Sequence, residues 1–446
     1  MMNHRLGLRN TIRISQAIGG KKYHATPCRS SLVSPNAQHP WNLRMKTMPI
    51  PDEQMNIWMR DIRRHLHRHP ELAFAEFATA RFIAEQLEKL GIPCREQVNR
   101  TGIVASLGSS TPNTPCVALR ADMDALPITE QTGLPFASET PGVMHACGHD
   151  GHVAMLLGAA ALLKERGPEL PGRVLLIFQP AEEGDGGAQG MIAEDALDGV
   201  GAIFAGHIDR NYELDEIVVQ PGLISAFTDE FAIEIHGLGG HAAKPHETAD
   251  CILAASQLIA SIQSIVAREI HPCFPAVITV GTIHGGTAAN VIASQVVLEG
   301  TVRTTSPEIR SACIASLQRM TSAMEQLHRV TTSFSLVEGY PPVINDPSAT
   351  RIAAEVAAAI VGPDKIKGQP LPSLGGEDFS FFLQKIPGCL VRFGARHTEL
   401  PDAPAHSPGF DFDEGVLATG ALFLAQTAIN ALERMEELRG PMQPRI

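Results

Sequence analysis

Residues 173–183 read Arg173-Val174-Leu175-Leu176-Ile177-Phe178-Gln179-Pro180-Ala181-Glu182-Glu183. An unbroken apolar run from Val174 to Phe178, with no alternation, marks a strand buried on both faces, as in the middle of an α/β sheet. The run stops at Pro180 and delivers two adjacent carboxylates. The same arrangement recurs on either side. Val117-Ala118-Leu119-Arg120-Ala121 runs into Asp122 and Asp124, and Ala202-Ile203-Phe204-Ala205 ends in Gly206-His207. Residues 152–165 and 188–196, lying between these runs, have helical character. Strands alternating with helices imply an α/β sheet covered on both faces. Polar residues collect just past the strand ends, which is where open α/β sheets place their sites.

Further out, residues 55–90 carry helical spacing (Ile57, Ile62, Leu66, then Phe82, Ile83, Leu87, Leu90) closed by Gly91 and Pro93. A short strand is expected at 103–107. The character changes after Pro221-Gly222. Residues 231–235 alternate like a half-exposed strand; a helix at 251–267, strands at 276–283 and 296–302, a helix at 307–327 and a strand at 332–337 follow. That β-α-β-β-α-β order is a split βαβ sandwich. The chain then resumes with a helix at 349–360, a strand at 389–393 and a helix at 416–438. The expected organisation is an extension at 1–51, an α/β catalytic domain at 52–223 and 339–446, and an inserted α+β domain at 224–338.

The chain has 446 residues, long for one core, and 44% of them are hydrophobic, as in ordinary globular proteins. A net charge of -12 argues against nucleic-acid binding, which needs a basic surface. The longest apolar stretches, such as 153–163, have the length of core helices, so no membrane span is expected. Eight scattered cysteines form no short-spaced framework, which favours reduced thiols and a cytoplasmic location. No Asp or Glu precedes Asp52, while Arg5, Arg9, Arg13, Lys21, Lys22 and Arg29 are basic. This extension is read as disordered or as following an upstream start codon, with an organelle transit peptide as the other reading.

The densest chemistry is His145-Ala146-Cys147-Gly148-His149-Asp150-Gly151-His152. Thiolate and imidazole are good ligands for zinc and similar ions, and the glycines let several side chains converge. Adjacent carboxylates at a strand end repel unless a cation or a shared proton offsets them. Successive side chains of an extended chain point to opposite sides. One of Glu182 and Glu183 can then bind metal while the other faces substrate as a base. His207 and His406, in Pro404-Ala405-His406-Ser407-Pro408, would each be read as structural in isolation; together with the other groups they complete a donor set. Water is a poor nucleophile toward an amide. A divalent cation lowers the pKa of water to about 7, and a positioned carboxylate can move the proton to the leaving amine.

Five ordered motifs resemble one known family: Arg120-Ala121-Asp122-Met123-Asp124-Ala125-Leu126-Pro127, Met144-His145-Ala146-Cys147-Gly148-His149-Asp150, Gln179-Pro180-Ala181-Glu182-Glu183-Gly184, Gly239-Gly240-His241-Ala242-Ala243 and Phe410-Asp411-Phe412-Asp413-Glu414. They are similar to the amidohydrolase branch of the M20 family of aminoacylase-type di-metal peptidases. That branch holds N-acyl amino acid amidohydrolases, hippurate hydrolases and hydrolases of auxin–amino acid conjugates. The resemblance covers about 55–438. It implies that Cys147, His149, Glu183, His207 and His406 bind two divalent metal ions (manganese or zinc, with cobalt and nickel suiting the same donors), with the Cys147 thiolate near or between them. It implies Glu182 as general acid/base and the inserted domain as a lid that mediates homodimerisation. His241 would reach a partner's site to stabilise the oxyanion, and Asn290 and Arg303 would lie near the carboxylate of a small-molecule substrate. One departure stands out: where family members often continue the metal histidine with an apolar residue, Trp and Pro, this chain has His207-Ile208-Asp209-Arg210. Either the pocket changes there, or an ion pair replaces a packing contact. The expected reaction is hydrolysis of an N-acyl amino acid or similar conjugate. A dipeptidase or carboxypeptidase, and a hydrolytic deaminase of an aromatic amine, are the neighbouring readings; a non-catalytic binding protein should have lost a ligand or the base, and none is missing.

Overall fold

The computed structural model describes residues 48–438, apart from 110, 112–113, 185 and 398–402. Most of the expected N-terminal extension therefore lies outside the described residues. Met48, within it, is buried and donates its backbone N–H to Gln426 Oε1 at 2.8 Å.

The first helix, α1 (Glu53–Arg68), opens at Asp52, whose side chain accepts from Met55 N at 2.8 Å. It buries Met59, Ile62, Arg63 and Leu66, the i, i+3, i+4, i+7 stripe of an amphipathic helix. Each fully buried Ile or Leu of that stripe is worth about 1.5–3 kcal/mol. The helix stops at His69, before Pro70, and a second helix, α2 (Phe77–Lys89), follows. The single helical stretch expected at 55–90 is thus two helices, broken where Pro70 biases His69 away from helical backbone. Next come β1 (Cys94–Val98), which the sequence reading missed, and β2 (Gly102–Gly108), β3 (Cys116–Asp122), α3 (His149–Arg166), β4 (Arg173–Gln179), α4 (Gly187–Ala193) and β5 (Ala202–Asp209). Short strands β6 (Ile217–Val218) and β7 (Gly222–Leu223) lead to the inserted domain.

The insert contains β8 (Phe227–His236), β9 (Gly240–His241), α5 (Cys251–Ser264), β10 (Ala276–Gly285), β11 (Val291–Ile292), β12 (Gln295–Thr304), α6 (Pro307–His328) and β13 (Thr331–Glu338). Its sheet has the order β10-β12-β8-β13, antiparallel throughout, as the split βαβ reading requires. Phe231, Ile233 and Ile235 on alternate positions of β8 pack with Leu258 and Ile262 of α5 and Leu317 of α6. The chain returns through β14 (Ile344–Asn345), α7 (Pro347–Val361), β15 (Ile366–Lys367), α8 (Phe379–Leu383), β16 (Gly388–Gly394), α9 (Val416–Glu433) and α10 (Met435–Leu438).

The large sheet has the order β1-β2-β4-β3-β5-β16-β6-β15, with β4, β3, β5 and β16 parallel to one another. The apolar run in β4 divides between two cores. Val174, Leu176 and Phe178 join the core under α1, α3, α7 and α9, while Leu175 and Ile177 join the one under α4 and α8. That is why the run shows no alternation. Among the described residues two helical stretches, Cys251–Glu269 and Val416–Glu433, are long and apolar enough to cross a membrane, longer than the sequence reading allowed. For the second the cause is its place in the fold: α9 is buried from Gly420 to Leu432 and at Val416 and Leu417, packed between α3 and α7.

Candidate metal centre

β3, β4 and β5 run parallel and end together, and their ends carry Asp122, Glu182 with Glu183, and His207. The histidine-rich segment crosses over them. Gly148, at φ +96, caps α3 in a left-handed conformation, and a Cβ at Gly151 would lie 2.5 Å from Ile208 Cδ1. These glycines bring the start of α3 against the end of β5.

Five groups of possible metal donors result among the described residues, and two of them share Cys147. Cys147, His149 and His207 each offer a ligand atom within 4.8 Å of the others, and so do Cys147, Glu183 and His406. Cys147 is common to both groups. Its Sγ is 3.5 Å from His207 Nε2, and His406 Nε2 is 2.9 Å from Glu183 Oε1. Among the described residues His149 Nε2 is buried without a hydrogen-bond partner, and it faces Asp122 Oδ2 at 3.8 Å, Glu183 Oε1 at 3.9 Å and Glu182 Oε2 at 4.0 Å. All five residues expected to bind metal, and Glu182, are therefore brought together.

Hydrogen bonds aim the rings. His149 Nδ1 lies 3.0 Å from Asp124 O and 3.2 Å from Asp124 Oδ1, and Asp124 Oδ2 accepts from Glu183 N at 2.9 Å. His207 Nδ1 lies 2.7 Å from Ile208 O. A carbonyl can only accept, so both histidines carry the proton on Nδ1 and leave Nε2 free to ligate. His152 ties the strand ends: its Nδ1 is 2.6 Å from Asp122 Oδ1, and its Nε2 accepts from Ile208 N at 2.8 Å. Arg120 holds the rear, donating to Asp122 Oδ2 at 2.6 Å, Gln179 Oε1 at 2.9 Å and Asp378 Oδ1 at 3.0 Å. Ala181 (φ +55) and His406 (φ +65) hold left-handed backbone, costly for residues with a Cβ, beside the donors they present.

The electrostatics suit cations. Burial, then Glu377, Glu183 and Asp378, pushes Glu182 well above the usual carboxylate range. Burial would also raise Glu183, but His406 and His149 outweigh it and hold that carboxyl low. Burial and the charge of Glu183 push the Cys147 thiol well up. Asp122, Glu182, Glu377 and Asp378 are all buried around the single guanidinium of Arg120. Divalent ions would offset that surplus of negative charge and ionise the thiol. The orphaned His149 Nε2 and the two donor groups fit such ions in type and spacing, since ligand atoms around one zinc lie roughly 3–4 Å apart.

The other expected residues lie in the insert. His241 and Asn290 are exposed and adjacent, with His241 paired to Val291 across β9–β11 and Ala242 N donating to Asn290 O at 3.0 Å. Arg303 is half-buried on β12 between Val277 and Thr228. None of the three makes a hydrogen bond or ion pair with the donor cluster among the described residues. The departure after His207 resolves into polar ties: Asp209 Oδ2 is 3.2 Å from Arg392 Nη1, and Arg210 Nη1 donates to Ala403 O at 2.6 Å. Sequence reasoning missed Arg120, Glu377 and Asp378. A lone arginine inside an apolar strand was the available signal for the first.

The match to known proteins agrees with this geometry. Residues 118–430 match the peptidase family M20/M25/M40. The chain belongs to that family. It is 41% identical to N-acetyl-L-cysteine deacetylase of Bacillus subtilis over 89% of this chain and 93% of that protein. It is 41% identical to thermostable carboxypeptidase 1 of Saccharolobus solfataricus, over 84% of this chain and 96% of that one. The Bacillus subtilis YXEP protein, described as a dinuclear metal binding peptidase of the M20 family, superposes with a TM-score of 0.73 at 36% identity, over 86% of this chain and 99% of that one. The M20 protein described here is a metal-dependent hydrolase with an α/β catalytic domain and an inserted lid domain, as the motifs led one to expect.

Proposed function

We propose that this enzyme hydrolyses the amide bond of a small N-acyl amino acid or a similar conjugate. The observation that carries the reading is the pair of donor groups sharing Cys147, with Glu182 beside them and its carboxylate making no hydrogen bond among the described residues. Cys147, His149 and His207 would hold one divalent ion and Cys147, Glu183 and His406 the other, manganese or zinc first, with cobalt and nickel suited to the same donors. When bound, the ions supply Lewis acidity that makes water more acidic and stabilises negative charge on the amide oxygen.

The chain's own residues do the rest. Glu182 takes a proton from the attacking water as the oxygen bonds to the amide carbon. It then gives that proton to the nitrogen as the C–N bond breaks, releasing a carboxylic acid and an amine. A carboxyl that burial and its acidic neighbours keep above its ordinary range holds such a proton readily. His241, on the exposed edge of the lid, would serve the oxyanion of a partner subunit's site, and Asn290 beside it and Arg303 the substrate carboxylate. Exposed Ile252 and Leu253 on α5 and Ile283 on the edge strand β10 support a homodimer formed through the lid. The likeness to a carboxypeptidase favours peptide cleavage as the second reading.

Amine release from N-acetyl, N-benzoyl and indoleacetyl amino acids and simple dipeptides, with manganese or zinc added, tests this. Chelator-sensitive release from an acyl amino acid is the expected result. Release from dipeptides alone would move the assignment to a peptidase, and silence across the panel with metal bound would overturn it.

A further inference from the structure

The lid joins the catalytic domain through two chain crossings that lie side by side. Thr228 N donates to Tyr340 O at 3.1 Å, Tyr340 N to Thr228 Oγ1 at 3.0 Å, and Val343 N to Ser225 Oγ at 2.8 Å. The backbones are in such close contact that a Cβ at Gly339 would lie 1.8 Å from Thr228 O. From the returning crossing, the Tyr340 side chain reaches away from the lid into the catalytic domain. Its hydroxyl lies 2.8 Å from Glu182 O and 3.0 Å from Gly184 O. Both acceptors are carbonyls, so the phenol must be the donor, with its one proton shared between the two ends of the Glu182–Gly184 turn.

The turn begins at Ala181 in left-handed backbone and is tied at its start by Ala181 N to Glu76 Oε1 at 2.9 Å and by Gly186 N and Gly187 N to Ala181 O at 3.2 and 3.0 Å, and at Glu183 by its N to Asp124 Oδ2 at 2.9 Å and its Oε1 to His406 Nε2 at 2.9 Å. Among the described residues, the carbonyls of Glu182 and Gly184 accept only from Tyr340. Among the described residues the Glu182 carboxylate makes no hydrogen bond, and it stands 4.0 Å from His149 Nε2, so its backbone has a large part in setting its direction. The Tyr340 ring is itself fixed edge-on against Phe381, with centroids 6.0 Å apart.

We propose that Tyr340 is a positioning residue: it clamps the Glu182–Gly184 turn from the lid connection, so that the attitude of the lid and the aim of the base are set through one side chain. The inference deepens the amidohydrolase reading and rests on it for the role of Glu182. Its physical core, a clamp on the turn, does not depend on any activity.

The test is Tyr340→Phe, which keeps the ring and removes only the donor. Hydrogen exchange followed by mass spectrometry on the intact protein should show faster exchange in the peptide spanning 181–187, with the core strands unchanged. With a substrate from the panel, kcat should fall about ten-fold, the size of one hydrogen bond, while KM changes less than about two-fold. Unchanged exchange at 181–187 would overturn the clamp. Faster exchange with unchanged kcat would overturn its role in aiming the base, as would a loss of activity that only tracks a general fall in Tm. If wild type hydrolyses nothing on the panel, the exchange result still decides the clamp, and the functional reading fails separately.

Discussion

Glu182 and Glu183 are neighbours in the chain and opposites in surroundings. Glu182 lies among Glu377, Glu183 and Asp378, which together with burial raise its carboxyl, whereas His406 and His149 hold Glu183 low. Two carboxyls driven apart in this way are suited to different tasks, one to carry a proton and one to stay an anion. Glu182→Gln should therefore lower kcat by about 10²–10⁴-fold with the bound metal unchanged, read by steady-state rates alongside elemental analysis. Activity that persists undiminished would remove Glu182 from the mechanism. At this scale the sequence was most legible where a donor sits in a recognisable setting: past a strand end, or among glycines. It was silent on Glu377 and Asp378. They meet Arg120 from a distant part of the chain, 258 positions away for Asp378, and no local pattern carries that distance.

Elements explain why the donors converge. β5 runs through His207 to Asp209 rather than stopping before the histidine, because β16 pairs with it from Ile203 to its end, Gly394 with Asp209. The next residue, Arg210, is buried and ties Ala403 O at 2.6 Å. Ala403 begins the stretch that carries His406, itself fixed by His406 N donating to Ala146 O at 2.8 Å. The polar residues after His207 thus link one donor-bearing element to another. Arg210→Met should weaken metal binding by about 10–100-fold, as loss of a group supporting ligands does, measured by competition with a chelator. Asp209→Ala, which breaks a partly exposed pair with Arg392, should cost less than about 1 kcal/mol and leave metal affinity alone. An Arg210 variant that binds metal like wild type would reduce the tie to packing. Periodicity foretold the buried strands and the longer helices, but not the five-residue α8 or the break at Arg434 that separates α9 from α10. It missed β1, whose Arg95, Glu96 and Gln97 are exposed on a sheet edge and offer no apolar face, and it ran through the break at Pro70.

At the scale of the whole molecule, the five expected metal donors and Glu182 meet within one chain, and the expected oxyanion and carboxylate groups make no hydrogen bond or ion pair with them among the described residues. His241 and Asn290 sit exposed on the lid, whose edge strand β10 and helix α5 leave Ile283, Ile252 and Leu253 uncovered. The order of elements revealed the insert from sequence, but a side chain that acts across a subunit boundary has no partner in its own chain to betray it. If the lid of one subunit completes the site of another, two crippled variants should rescue each other. His241→Ala and Glu182→Gln homodimers each lack one component at both sites. A heterodimer places both defects in one site and leaves the other whole. After full exchange of equal amounts, half the dimers are mixed and half their sites intact, so about a quarter of wild-type activity should return. Subunit exchange would be shown independently by mass spectrometry of differently tagged chains. Mixed dimers without recovered activity would confine each site to its own chain, and His241 would then have to act from the lid of the same subunit or not at all.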